Sequence, residues 1–331
     1  MQIPEDALAF SDQFNSQAKC LEFLFNLRWP KGFRCPNCSH DDGYQLACRP
    51  LIQCPVCRHQ TSITAGTIFH RTHIPLRIWF FIIHAMSQDK GGASSTRLAS
   101  DLKMHQATVW CIMHKIRHAM GRRDELISLA GFIEMDEAII GPHARRPTDI
   151  DEESLEIVSV KNKSKTAKTP KQPGRGRPKK SGTNKKTQTP VLVLVEQEPH
   201  HAGVVAMQVL EAQTRENILE FVQKRVDESQ HIKTDGWSAH HVLRSFNCTY
   251  EAVVCSGPQG CIELPVVHRA IALLKIFLMG TYFGVAPKHL QAYLNEFCFR
   301  FNRKDSHRPL WLSALSACIF TLPITCAELI L

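Results

Sequence analysis

The 331-residue sequence lacks the glycine-rich phosphate-binding motifs of nucleotide-dependent enzymes. It contains neither a P-loop nor a Gly-rich dinucleotide-binding turn, so we expect no nucleotide cofactor. It also lacks the basic-then-apolar pattern of a secretory leader, since it begins MQIPEDALAF. Because thirteen cysteines occur without such a leader, we predict a reducing compartment and a cytoplasmic location.

Long apolar runs are scarce as well. The one uncharged stretch of membrane-spanning length, residues 309–327, contains polar side chains and Pro323. We therefore expect one or two buried helices there and no membrane partner. Hydrophobic residues make up 44% of the chain, which is enough for a packed core, and the length allows two or three domains.

Acidic residues are absent between Val160 and Pro190, where eleven lysines and arginines occur. The formal net charge of the chain is +9, so removing these eleven positive charges leaves −2 for the rest. The Lys, Thr, Pro and Gly composition favours disorder. We predict a disordered insertion, residues 142–190, that binds DNA phosphates or a minor groove, with a solvated loop as the alternative. The residues expected to contact DNA are Arg175, Arg177, Lys179 and Lys180.

Four cysteines form two C-x-x-C motifs, CPNC and CPVC, with fifteen residues between them. This spacing predicts a tetrahedral zinc site, which replaces a core that so short a segment cannot build alone. The alternative is buried or disulfide-bonded cysteines, and Cys48 and His59 are near enough in sequence to substitute for a ligand. The predicted zinc ligands are Cys35, Cys38, Cys54 and Cys57. Such a ribbon binds nucleic acid or protein, so the chemistry must come from another part of the chain.

Helical spacing follows the ribbon. The segment PLRIWFFIIHAMSQ, residues 75–88, predicts a buried helix. Two further helices are expected, with Ser95 or Thr96 as the N-cap of the first and a turn near residues 103–105. A short helix, a tight turn and a longer amphipathic helix are typical of a helix-turn-helix. Its second helix would offer DNA the side chains of Gln106, Thr108, Lys115, Arg117 and His118.

Beyond residue 130 the apolar pattern changes from helical to alternating. The segments GFIEMDEAIIG, VLVLVEQ and GVVAMQVL predict three adjacent strands. A helix, the strand HIKTD, a second helix, the strand TYEAVVC and closing helices follow. This order predicts an α/β domain of the ribonuclease-H type.

Two aspartates stand where such a sheet can hold a cation. Asp136 interrupts an apolar strand, and Asp235 ends the strand HIKTD. An acid on a central strand is costly unless it is paired or binds a cation, and strand-end carboxylates can bind Mg²⁺ for phosphodiester chemistry. The alternative is that Asp136 faces solvent beside Glu134 and Glu137, and that Asp235 caps the next helix. Glu296, on a later amphipathic helix, is expected to be solvated.

The ordered motifs carry a resemblance to a known family. They are CPNC, CPVCRHQTSITAGTIFHRT, FIEMDEAIIG, KTDGW, HRAIALLK and LMGTYFGVAPKHLQAYLNEFCFRFNRK. In this order they resemble bacterial insertion-sequence transposases of the DDE superfamily that have an N-terminal zinc ribbon and an ISXO-like catalytic domain. The resemblance implies a ribonuclease-H fold, DNA transposition, and Mg²⁺ held by two aspartates and a third residue that is Glu, Asn or His.

Matched motif by motif, Asp136 takes the place of the first acid and Asp235 that of the second. Relatives have Glu or His seven residues before a DNA-contacting Lys, and here these positions are His268 and Lys275. The resemblance thus implies His268 as the third ligand. Relatives also often have Asn where this chain has Pro265, so the identity of the third ligand stays open.

The expected architecture is multidomain. An N-terminal helix and zinc ribbon occupy residues 1–67, the helix-turn-helix region 68–128, the ribonuclease-H-like domain 129–304 and an apolar tail 305–331. The implied function is a transposase that binds the ends of an insertion sequence and catalyses metal-dependent DNA cleavage and strand transfer, with structural Zn²⁺ and catalytic Mg²⁺.

The implied partners are double-stranded DNA, at the terminal inverted repeats and at the target, and further copies of the chain, in the bacterial nucleoid. The alternative is an inactive, decayed transposase or a DNA-binding regulator, which would bind DNA without cutting it.

Overall fold

The computed structural model describes residues 3–4, 6–46, 49–141, 188–198, 201–253 and 263–330. Within these ranges a three-stranded sheet, a helical region and a five-stranded sheet flanked by helices follow one another. Nearly all of the predicted basic insertion lies outside the described residues, and so does Cys48. The candidate DNA contacts in that insertion, which are likewise outside, are Arg175, Arg177, Lys179 and Lys180.

Two short helices and a small sheet form the N-terminal part. Helices α1 (Ala7–Gln13) and α2 (Gln17–Arg28) come first. Strands β1 (Tyr44–Gln45), β2 (Leu51–Gln53) and β3 (Gln60–Ser62) then pair antiparallel in sequence order. Strands this short bury too little apolar surface to be stable by themselves, so the sheet depends on its cysteine cluster and on the neighbouring helices.

A helical region follows the small sheet. It contains α3 (Leu76–Gln88), α4 (Ser95–Leu102) and α5 (Gln106–Asp124). Their apolar faces share one core with α1, α2 and a C-terminal helix that begins at Leu310 and ends at Phe320. The uncharged C-terminal stretch is therefore a buried helix, as predicted, and it packs on the N-terminal half of the chain.

The turn between α4 and α5 lies where a helix-turn-helix is predicted. The N-cap of α4 is Ser94, whose hydroxyl accepts the N–H of Arg97. The predicted caps, Ser95 and Thr96, are wrong because both are already inside the helix. Lys103 ends α4 in the left-handed conformation, with φ 51°. The two helices are present, and their use as a DNA-reading pair stays a prediction.

Five strands form the second sheet. They are β4 (Phe132–Ile140), β5 (Thr189–Gln197), β6 (Ala202–Val209), β7 (His231–Asp235) and β8 (Thr249–Val253). Their order is β6-β5-β4-β7-β8, in which the first three strands are antiparallel and β7 and β8 run parallel to β4. This arrangement confirms the predicted ribonuclease-H-type sheet.

Helices cover both faces of this sheet. Helix α6 (Arg215–Arg225) and a 3₁₀ helix (Ser238–Ser245) pack on one face. Helices α7 (Pro265–Tyr282) and α8 (Pro287–Phe301) pack on the other. Of the helices described, none alone is long and apolar enough to cross a bilayer; α7 and α8 reach that length only as a pair bent by 114°.

The chain closes with two helices, of which α9 (Leu310–Phe320) is the buried one. The short α10 (Cys326–Ile330) follows, and a disulfide between Cys111 and Cys326 joins it to α5. This pair departs from the expectation of reduced cysteines, whereas eight other described cysteines are free.

The open edge of β6 is covered by side-chain amides. Gln291 of α8 accepts the N–H of Val209 at 2.8 Å and donates to the carbonyl of Met207 at 3.2 Å. Asn302 accepts the N–H of Val205 at 2.8 Å and donates to its carbonyl at 3.0 Å. These bonds occupy backbone groups that would otherwise pair with another chain, and they fix α8 against the sheet.

A buried ion pair joins the helical region to the second sheet. Arg117 of α5 donates from Nε to Oε2 of Glu296 on α8 at 2.8 Å, and their side chains are 1% and 0% exposed. The guanidinium lies 4.1 Å from the ring centre of Tyr293 and donates to the hydroxyl of Tyr282 at 3.3 Å. Arg300 donates to the other carboxylate oxygen of Glu296 at 3.1 Å. Charges this deeply buried persist only with such partners.

Two predictions are wrong at this ion pair. Arg117 does not face DNA, because α8 and the two tyrosines enclose its side chain. Glu296 is not solvated, because it compensates that buried charge. Of the remaining candidates on α5, Gln106 is exposed and the others are half-buried, namely Thr108, Lys115 and His118.

Replacing Arg117 with Met should lower the free energy of unfolding by about 3–5 kcal/mol, because Glu296 would remain buried without its main partner. The measurement is urea denaturation. Arg122→Ala is the control, since the Arg122–Glu125 pair is exposed and should contribute no more than about 1 kcal/mol. Equal losses in the two variants would contradict a structural role for Arg117.

Candidate metal sites and catalytic centre

The four predicted zinc ligands converge on one point. Sγ of Cys35 lies 3.5 Å from Sγ of Cys57, and Sγ of Cys38 lies 3.6 Å from Sγ of Cys54. All four sulfur atoms are within 4.8 Å of one another. A tetrahedral site with zinc–sulfur bonds of about 2.3 Å needs sulfur atoms about 3.8 Å apart. The donor set and its spacing therefore fit a structural Zn²⁺, and exposed His59 is not part of the cluster.

The two cysteine turns are built in the same way. Ser39 and Arg58 each adopt the left-handed conformation, with φ 60° and 59°. The N–H of Ser39 donates to the carbonyl of Cys35 at 2.9 Å, and the N–H of Arg58 donates to that of Cys54 at 3.0 Å. The repeated turn points two thiols inward from each side, which explains why C-x-x-C spacing is needed twice.

Replacing Cys54 with Ser should remove the bound zinc and unfold the small sheet, because metal binding supplies the stability of such a segment. Zinc content by mass spectrometry is the measurement. Cys20→Ser is the control, since Cys20 is a free, buried cysteine outside the cluster. Equal zinc content in Cys54→Ser and the parental protein would contradict the site.

Asp136 and Asp235 stand side by side on neighbouring strands. Strands β4 and β7 are parallel, and their paired residues end with Met135 opposite Thr234. The next residue on each strand is an aspartate, and paired strands lie about 4.8 Å apart. The charge of Asp235 accordingly contributes to the raised pKa of Asp136. The tertiary structure thus brings the two predicted acids together.

A histidine contacts each aspartate. Nε2 of His268 lies 3.0 Å from Oδ2 of Asp136. His240, which is fully buried, has Nδ1 2.8 Å from Oδ1 of Asp235 and Nε2 2.6 Å from Oε1 of Glu137. Within the described ranges, one group of three possible metal ligands outside the ribbon has its donor atoms within 4.8 Å of one another. These ligands are Glu137, Asp235 and His240.

The alternatives drawn from sequence fit only in part. Asp136 does not simply face solvent, since its side chain is 19% exposed and contacts His268. Asp235 does accept the N–H of Trp237 at 3.3 Å and so stabilises the following turn. Glu137 is not a bystander, because it contacts His240. Sequence reasoning missed His240, although a histidine in the first turn after a strand-end acid was a usable signal.

The electrostatics favour a cation at this edge of the sheet. Burial raises the pKa of Asp136, and the charges of Asp235 and Glu137 raise it further, against the opposing effects of the Glu137 N–H and His268. Burial lowers the pKa of His240, but Glu137 and Asp235 outweigh it and the net shift is upward. Carboxylates near enough to affect the pKa of one another favour Mg²⁺, which prefers oxygen ligands, and imidazole suits this ion less well.

Glu134 holds the helix that carries His268. Its buried carboxylate accepts the N–H of Val266 and that of Val267, both at 2.8 Å. These groups belong to the first turn of α7 and have no acceptor within the helix, and a negative charge suits a helix N-terminus. Glu134 thereby sets α7 so that His268 reaches Asp136. Lys275 is exposed two turns further along α7, about 10 Å from His268 along the helix axis.

Replacing Glu134 with Ala should lower the free energy of unfolding by about 2–3 kcal/mol, because two buried N–H groups lose a charged acceptor. Glu134→Gln should lose less, since its amide oxygen can still accept. Urea denaturation is the measurement, and Glu263→Ala, at an exposed acid paired with Lys233, should stay within about 1 kcal/mol. Parental stability in Glu134→Ala would show that α7 does not depend on this contact.

Residues 128–302, more than half of the 331, match the ISXO2-like transposase domain. The chain belongs to this transposase family. Residues 15–60 match the transposase zinc-ribbon domain. The resemblance inferred from the motifs is confirmed, and with it a metal-dependent DNA-cleaving and strand-transferring enzyme that has Zn²⁺ in its ribbon and Mg²⁺ in its catalytic domain. The domain boundaries expected at residues 67, 128 and 304 stay predictions.

A relative described as an uncharacterized protein in transposable element ISH50 of Halobacterium salinarum is 22% identical over 297 residues, which cover 87% of this chain and 91% of the relative. Two solved Mos1 transposase structures also align. The paired-end complex with the left transposon end has a TM-score of 0.27 and 13% identity. Its alignment covers 73% of this chain and 79% of the Mos1 chain. The pre-cleavage transpososome has a TM-score of 0.22 and 11% identity, with coverages of 72% and 77%. Scores this low carry no weight for the structure of this transposase.

Proposed function

We propose that this transposase cuts the ends of its insertion sequence and joins them to target DNA at the site built by Asp136 and Asp235. The observation that carries the proposal is the parallel register of β4 and β7, which makes two acids neighbours although they are far apart along the chain. Carboxylates held side by side are the ligands that a Mg²⁺-dependent phosphodiester reaction needs.

The neighbouring residues orient the two aspartate carboxylates for metal binding. The contacts of the Asp235 carboxylate with His240 and Trp237 both use Oδ1, which leaves Oδ2 for a ligand. Oδ2 of Asp136 contacts His268, and its Oδ1 accepts the N–H of Glu137 at 2.8 Å. When bound, Mg²⁺ would activate water or a 3′-hydroxyl and stabilise the leaving oxygen of the phosphodiester.

Two residues compete for the place of third ligand. His268 lies beside Asp136 and matches the family motif at that position. Glu137 lies beside Asp235 through their common contact with His240 and offers the harder oxygen donor. Position favours His268, and ligand chemistry favours Glu137.

DNA binding is assigned to the start of α5 and to α7. Gln106 is exposed at the first position of α5, where recognition helices contact base edges. Thr108, Lys115 and His118 are the further candidates on α5, and Lys275 is placed to contact the backbone near the catalytic acids. We further propose that the chain forms a homo-oligomer that holds two terminal repeats. It would act in the nucleoid, within the cytoplasm.

The test is nicking of a labelled terminal-repeat oligonucleotide in Mg²⁺. Asp136→Asn and Asp235→Asn should abolish nicking, because each removes a charged oxygen ligand. His268→Gln and Glu137→Gln are then compared with these two variants. The substitution that abolishes nicking as completely as the loss of an aspartate identifies the third ligand. Asp227→Asn is the control, since this exposed acid precedes β7 at the end opposite Asp235 and its replacement should leave the rate unchanged.

Pro265 supports the alternative function. It occupies the first turn of α7, at a position where relatives often have a ligating Asn. Binding of the oligonucleotide without nicking, in Mg²⁺ and in Mn²⁺, would mean a decayed transposase or a DNA-binding regulator. Gain of nicking in Pro265→Asn would then identify the lost ligand.

A further inference from the structure

Helix α9 ends in an exposed aromatic side chain beside two arginines. Phe320 is 65% exposed. It lines an open cavity of about 830 Å³ together with Arg123, at the end of α5, and Arg308, before α9. The other lining residues carry no charge, and they are Asn26, Leu27, Pro30 and Ser316.

The positive charge of this cavity is not neutralised. Neighbouring Arg303 is paired with Asp124 at 2.6 Å, whereas within the described part of the chain Arg123 and Arg308 have no acidic partner at ion-pair distance. Burial lowers the pKa of Arg308, and the nearby charges of Arg123 and Arg303 lower it further. Like charges held this close repel, so an anion bound between them would stabilise the arrangement.

Phe320 also lines a second cavity, of about 550 Å³. Arg123 borders that cavity too, together with Leu126 and Leu322, which are 74% and 76% exposed. The aromatic ring therefore borders two cavities. The second cavity also contains an acid, Glu328, so the unpaired positive charge is concentrated in the first.

The surface lies between the end of α2, which leads into the zinc ribbon, and the last turn of α5, the helix that carries proposed DNA contacts. Asn26 and Leu27 belong to the last turns of α2, which leads into the zinc ribbon. Arg123 ends α5, whose first residue is Gln106. Arg123 lies about 26 Å from Gln106 along the axis of α5. This distance is shorter than one turn of a DNA duplex, so a single duplex is long enough to contact both.

We propose that Arg123, Arg308 and Phe320 form a DNA-binding surface, on which the two arginines bind phosphates and Phe320 stacks on an unpaired base. Aromatic side chains in a positively charged groove are how proteins hold single-stranded nucleic acid without reading its sequence. The surface would thus bind a DNA end whose strands have separated. The proposal rests on the proposed function in taking DNA as the partner.

A protein partner fits this surface less well. An apolar partner covering Phe320 and Leu322 would also desolvate Arg123 and Arg308 without supplying an anion, which is costly. DNA supplies both a phosphate for the arginines and a base for the ring. Charge complementarity therefore favours nucleic acid over an uncharged protein surface, and self-association is an outcome that the test below distinguishes.

The test measures binding, not cleavage. The full chain carrying Asp136→Asn and Asp235→Asn is titrated, without Mg²⁺, into a labelled duplex and into the same duplex with a short 3′ single-stranded extension. Arg123→Ala and Arg308→Ala should each weaken both complexes, and each should reduce the slope of log affinity against log salt by about one. Arg215→Ala, at an exposed arginine on α6, is the control and should bind like the parental chain.

Substitutions at Phe320 separate stacking from apolar contact. Phe320→Ala and Phe320→Leu should weaken binding of the extended duplex by roughly fivefold or more and leave the blunt duplex unchanged. Phe320→Trp should retain the preference for the extended duplex, because the indole ring also stacks. A Phe320→Leu variant that keeps the preference would overturn the stacking role.

The outcomes distinguish this surface from the catalytic proposal. If both arginine variants keep the parental affinity and salt slope, the proposed DNA-binding surface is wrong. That result would leave the proposed catalytic function untouched. A change of oligomeric state on sedimentation of Phe320→Ala, with DNA binding intact, would overturn it in favour of self-association. Absence of any binding by the parental chain would overturn the proposed function as well. A parental chain that fails to nick can still confirm the surface.

Discussion

Parallel pairing of β4 with β7 is the constraint on which the proposed catalytic centre depends. A slip of one residue would turn one aspartate to the opposite face of the sheet, since side chains alternate along a strand. The antiparallel ladder between β4 and β5, eight residue pairs long, holds β4 from its other side. Glu196 of β5 also accepts the N–H of Ala130, just before β4, at 2.7 Å. The register that joins Asp136 to Asp235 is thus supported by the whole centre of the sheet.

The acids of β4 have different tasks because they alternate between the two faces. Glu134 and Asp136 point towards α7, where the first binds the helix N-terminus and the second meets His268. Glu137 points to the opposite face and meets His240. One nine-residue strand therefore positions a helix, supplies the carboxylate of Asp136 that we propose as a metal ligand, and presents Glu137 to His240 on the other face.

Helix α8 links this sheet to the helical region that precedes it. Its Gln291 binds the edge of β6, and its Glu296 binds Arg117 on α5. Buried polar networks that are fully satisfied specify one geometry more strictly than apolar packing does. The relation between α5 and the catalytic sheet is therefore set by hydrogen bonds with defined directions, which suits an enzyme that must place bound DNA against metal-binding acids.

Sequence by itself identified the zinc ligands, the succession of strands and helices and the two candidate acids, because each depends on spacing between residues that are near in the chain or on a pattern within one element. Tertiary structure alone decided the tasks of Arg117, Glu134 and His240. Arg117 and Glu296 are 179 positions apart, and a charged residue on an amphipathic helix is normally exposed. The sequence therefore favoured a DNA contact where folding placed a buried ion pair. Partners distant in sequence leave no local pattern, and only the packing of α5, α7 and α8 brings them within bonding distance.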